Sequence, residues 1–197
     1  MTELQLLSKF RNDAAKLSLY ISRKFASLTP EQINFRPIAD KWSVGECFEH
    51  LIISHRLYYD KLSAIIEKNN LKVRKEDKEV FHTFFGKKII SAVKPDSSKK
   101  IKTFKVFKPL SSELNDEVFE RFILLQNKFV KLCDLLQNTY LSKTKLSSPV
   151  SKIIRLNTVD ILLIIIHHNN RHIQQAAQIV DLCFFPKEPH KNGNSKK

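Results

Sequence analysis

The chain has 197 residues, 42% of them hydrophobic and 27% charged, which suits one domain with a sizeable core. Its net charge is +14, from 34 Lys and Arg against 20 Asp and Glu. The longest purely apolar run, Ile161 to Ile166, falls far short of the roughly 18 to 20 residues that cross a bilayer, so a membrane span is excluded.

The opening residues mix acidic and apolar side chains and do not read as a signal peptide. Cys47, Cys133 and Cys183 are odd in number, widely spaced and set in helix-like patterns. They read as reduced thiols serving as small buried hydrophobes, which points to the cytoplasm. Only three glycines are present, an economy that favours long helices.

The first predicted helix runs from about Glu3 to Ser27, with Leu6, Leu7, Phe10, Ala14, Leu17, Tyr20, Ile21 and Phe25 mostly on one face. Thr29-Pro30-Glu31-Gln32 opens a short turn of helix, and Phe35-Arg36-Pro37 forces an extended exit. Ser43 and Glu46 form a capping box for the second long helix, which continues to about Lys68, with Trp42 placed for a staple against Cys47. Between Asn69 and Pro109 the periodicity weakens. A short amphipathic piece is expected around Val80 to Ala92, and an extended stretch around Thr103 to Phe107. This crossover is the basic part of the chain: from Lys68 to Lys108 there are 13 basic and 4 acidic residues.

A third long helix is predicted from about Ser112 to Asn138, followed by a Ser/Pro-rich loop. The fourth starts near Asn157 or Thr158 and ends before Pro186. The whole reads as a single domain over residues 1–185, with a disordered polar tail at 186–197.

The histidines are the candidates for chemistry. His168 and His172 are four apart, so their rings share one helix face one turn apart, a spacing that lets both meet one ion. Two core histidines bonded to backbone or water fit that spacing equally well. His50, among Phe48, Leu51 and Ile52 of the second long helix, is placed to complete a set of three, which leaves a fourth position for water or substrate. His167 faces about 100° away from His168. His55 falls off the stripe of His50, and His82 and His190 are expected at the surface. Glu46 is a candidate fourth ligand whose capping role competes, and Glu49 is expected to face solvent. Gln175 and Asn169 are candidates to orient ligand rings, or simply a polar helix face.

Two segments carry a resemblance. Leu28 to Leu62 has a Trp-Ser pair opening a helix and a histidine-leucine pair within two turns. His167 to Ile179 has a histidine, three residues, a second histidine, and a glutamine three further on. Together they resemble the DinB-like superfamily, with its YfiT-type metal-dependent hydrolases and its thiol S-transferases, over roughly residues 3–185.

The resemblance implies an all-α, antiparallel four-helix bundle (up-down-down-up) with a long crossover between helices 2 and 3. It also implies a divalent ion (zinc, nickel, manganese or iron) held by His50, His168 and His172, a small-molecule substrate with a low-molecular-weight thiol such as bacillithiol or mycothiol, and a homodimer. The leading expectation is a metal-dependent thiol transferase or hydrolase. A non-catalytic metal-binding protein is the alternative. A nucleic-acid-binding module is disfavoured, because the basic excess is nearly all Lys and has no aromatic-plus-Arg readout motif beside it.

Overall fold

The computed structural model describes residues 1–68, 71–97 and 102–187. Six helices and one small sheet follow in chain order: α1 (Glu3–Lys24), α2 (Pro30–Asn34), α3 (Val44–Glu67), α4 (Phe84–Val93), α5 (Glu117–Leu135), β1 (Lys145–Ser148), β2 (Ser151–Asn157) and α6 (Thr158–Val180). The protein is mostly helical. His190 and the tail beyond Lys187 lie outside the described residues.

Most helix starts are local sequence signals. Thr2 with Gln5, Thr29 with Gln32, Ser43 with Glu46 and Asn157 with Asp160 each form a reciprocal capping box, satisfying amide groups that have no partner within the helix. The four long helices α1, α3, α5 and α6 pack on one another, and α6 also seats α4. Helix α6 is the central element: Thr158 through Ile166 are all buried, so it is apolar on every side over its first turns, as a helix surrounded by others must be. At one end Phe48 sits edge-on to Phe25, Phe119 and Phe122, with ring centroids 5.2, 4.8 and 5.5 Å away.

The crossover is tied down at both ends of its first half. Val80 and Lys78 pair with the backbone of Met1 and Glu3, and Arg74 pairs with Asn138. The buried Glu3 carboxylate accepts from the amides of Leu141 and Ser142 at 2.9 and 2.8 Å, which pins the start of α1 to the chain leaving α5. Farther on, Lys105–Phe107 forms one turn of 3-10 helix against α3 where an extended stretch was expected.

Three expectations are corrected here. The Ser/Pro-rich loop contains an antiparallel hairpin, with Leu146 opposite Leu156 and a register irregularity between Ser147 and Ser148. Its second strand buries only Leu156 and Asn157 and leaves Ile153 84% exposed, so no alternation of apolar and polar residues announces it. Helix α5 begins at Glu117 instead of Ser112, because Leu114 and Asn34 are joined by two side-chain-to-backbone bonds that hold residues 111–114 in a turn. Cys47 and Cys133 are buried, but Cys183 is exposed beyond the end of α6, where the helix has stopped at Val180.

Candidate metal centre

His50 lies on α3, two turns past the Ser43 cap, and His168 and His172 lie on α6, which packs directly against α3. The packing brings the three rings together: their centroids are 4.7 to 4.8 Å apart, and one nitrogen from each lies within 4.8 Å of the others. Nε2 of His50 and Nε2 of His168 are 3.0 Å apart. Two nitrogens bound at ~2.0–2.1 Å around a tetrahedral ion sit ~3.3 Å from each other, so the spacing suits a shared cation.

The other nitrogens fix the tautomers. His50 Nδ1–H donates to the Phe107 carbonyl at 2.7 Å, and His172 Nδ1–H donates to Gln175 Oε1 at 3.0 Å. Both rings therefore present a bare Nε2 lone pair to the centre, the form in which imidazole binds metal. A lone pair on His50 facing another nitrogen at 3.0 Å is repelled unless a proton or a metal cation lies between. Burial also keeps the rings neutral. It lowers the His50 pKa to about 4, with the Phe107 carbonyl opposing, and the His172 pKa to about 3, with His50 adding to the effect. Desolvation drives His168 well below its ordinary value, helped by His172 and His50. Three converging, neutral, lone-pair-bearing imidazoles fit a metal-binding site.

The cluster forms the floor of a cavity of about 900 Å³ between α3, α4, α6 and the 3-10 turn. Trp42 walls one side, its ring 4.7 Å from His50 and 5.6 Å from His172. Among the described residues, Lys41, Lys88, Lys102, Lys108 and Arg171 line the cavity, against the single carboxylate of Asp40. Tyr58 lines it too; burial pushes its phenol up to about 12, with a hydrogen bond to Ser148 opposing.

A family model for the DinB superfamily matches residues 20–176. The chain belongs to the DinB superfamily. The matched stretch runs from the later part of α1 almost to the end of α6 and contains all three histidines. Among curated proteins and solved structures, no match was found.

Within this DinB domain several other expectations fall differently. Glu46 is no ligand: its oxygens are taken by the Ser43 amide and the Arg36 guanidinium. Glu49 does not face solvent; it is 6% exposed and pairs with Arg121 at 3.0 Å. His82 is not a free surface ring, since Asp160 holds its Nδ1 at 3.0 Å. Asn169 reaches Gln126 and no ligand ring, whereas Gln175 does orient one. His167, expected to face away from His168, does stay outside the cluster.

Sequence reasoning missed Trp42 as a wall, the Phe107 carbonyl as a partner of His50, and His55, which is fully buried beside His168. Only Trp42 carried a signal that could have been read, an aromatic one residue before the cap and two turns from His50. A backbone carbonyl 57 residues away carries none.

Proposed function

We propose that this DinB protein is an antiparallel four-helix-bundle enzyme that holds one divalent metal through His50, His168 and His172 and transfers or hydrolyses a small anionic substrate. The observation that carries this reading is the position of the cluster, at the floor of a cavity large enough for a small molecule and lined, among the described residues, by five cations to one carboxylate. A divalent ion bound by three neutral imidazoles retains an open position and, as a Lewis acid, lowers the pKa of the thiol or water that occupies it.

The protein's own groups do the rest. The Phe107 carbonyl and Gln175 hold two rings with Nε2 aimed inward, so little reorganisation accompanies binding. Arg171 is committed to the carbonyls of Ala92 and Lys94, which fastens the end of α4 to α6 and keeps the mouth in shape. Lys41, beside Trp42, and Lys88, on α4, supply long-range attraction for an anion. That excess favours the thiol-transferase version, because low-molecular-weight thiol cofactors that carry carboxylates suit a cationic mouth better than a neutral ester does. No carboxylate or neutral histidine outside the cluster lines the cavity as an evident base except Asp40, among the described residues. A thiol already acidified at the centre needs none.

Purified protein is expected to carry close to one equivalent of divalent metal and to consume a model electrophile only when a carboxylate-bearing thiol is supplied. Removing both wall charges (Lys41→Met with Lys88→Met) is expected to lower kcat/KM for that thiol about tenfold at low salt and much less at high salt. Full metal occupancy with no turnover of any thiol or ester would leave a non-catalytic metal-binding protein.

A further inference from the structure

His55 is fully buried, lies five residues after His50 on α3, and packs against Phe122 and Phe129 with its ring 5.5 Å from that of His168. It begins a line of buried polar side chains. Its Nδ1 faces the Gln126 amide at 3.4 Å, and Gln126 faces the Asn169 amide at 3.0 Å. The two ends of the line, His55 Nε2 and Asn169 Oδ1, have no partner among the described residues. Unpaired buried polar atoms are costly, so two in one line require a partner or a purpose.

The candidate partner is adjacent. His50 and His172 each have the nitrogen facing away from the centre held by an acceptor, while His168 has none among the described residues. A histidine that offers Nε2 to a metal carries its hydrogen on Nδ1 and needs an acceptor there to fix the ring.

We infer that His55 is the positioning residue for His168, an inference that rests on the metal-binding reading above. Its Nε2 accepts the His168 Nδ1–H after a small ring rotation, and Gln126 and Asn169 set its tautomer. His55 then carries its own hydrogen on Nδ1 and donates to Gln126 Oε1, and Gln126 Nε2 donates to Asn169 Oδ1. This turns both side-chain amides end for end, an exchange of oxygen and nitrogen that leaves their shape unchanged. The turn pairs both orphaned atoms at once. The one group left over is Asn169 Nδ2, which takes the buried place that Oδ1 held, so one orphaned atom remains where there were two.

The test is His55→Phe, which removes the acceptor and keeps the ring, with Gln126→Met as a second variant should the first misfold. Zinc affinity, read by competition with a chromophoric chelator, is expected to fall 10- to 100-fold, roughly the loss typical of an outer partner of a ligand. The visible bands of the cobalt-loaded protein are expected to shift. His55→Gln, which retains an acceptor, is expected to recover part of the affinity. A purely structural role would lower heat stability and leave the cobalt bands in place. Zinc affinity within about twofold of wild type in the folded variants, with unchanged cobalt bands, would overturn the inference and leave the metal reading standing. Failure of the wild type to bind zinc at all would overturn both.

Discussion

Replacing His168 with alanine is expected to abolish stoichiometric metal binding while the fold persists. With three imidazoles as the whole proposed ligand set, loss of one leaves two. Structural zinc sites with four ligands bind with roughly 10–16 kcal/mol, so one ligand is worth about 3–4 kcal/mol, or two to three orders of magnitude in affinity. The fold should survive, because His168 borders an existing cavity that water can extend into, and a side chain at such an edge costs about 1 kcal/mol to remove. His50→Ala and His172→Ala are expected to behave alike, and His190→Ala to retain its metal. Elemental analysis of the purified variants checks this. Equal metal content in all four would mean that the cluster is an ordinary buried histidine group.

The second large effect belongs to Gly86→Ala. A Cβ at Gly86 would lie 2.1 to 2.3 Å from all three carboxyl atoms of Asp160. That carboxylate cannot step aside. It is fully buried and accepts from Thr83 Oγ1 at 2.7 Å, from the amides of Asn157 and Thr83, and from His82. Either α4 lifts away or a buried charge loses its partners, and each costs about 3 kcal/mol or more. For a chain of this length the expected fall in Tm is about 6–12 °C, measured by thermal unfolding. Because α4 carries Lys88, Ile89, Ala92 and Val93 into the cavity wall, the same substitution should also weaken substrate binding. The double variant Gly86→Ala with Asp160→Ala should be far less than additive, since the clash disappears with the carboxylate. Additive losses would show that α4 is not seated on Asp160.

How much of this was legible beforehand depends on how far apart the interacting residues lie in the chain. Caps such as Ser43–Glu46 and Thr29–Gln32 span three residues, so their chemistry is readable as spacing. His168 and His172 are one turn apart, and the shared face follows from helix geometry. His50 was different: its place on another helix made it a candidate and the resemblance implied it, but only the packing of α3 on α6 brings its ring to 4.7 Å from His172. The hairpin at 145–157 stayed hidden because Ile153 points outward and Ser148 breaks the register, leaving no period-two signature. His55 looked misplaced for the same kind of reason. Five residues from His50 is off the helical stripe, and its neighbours Gln126 and His168 come from α5 and α6.

Trp42 is the chain's one tryptophan, and its indole rests against two of the three clustered rings. The protein therefore holds a built-in optical probe at the spot of interest, free of interference from any other indole. Adding nickel to the metal-free form is expected to dim its emission in proportion to occupancy, saturating at one ion per chain. A flat titration alongside proven uptake of the ion would mean that the metal sits elsewhere.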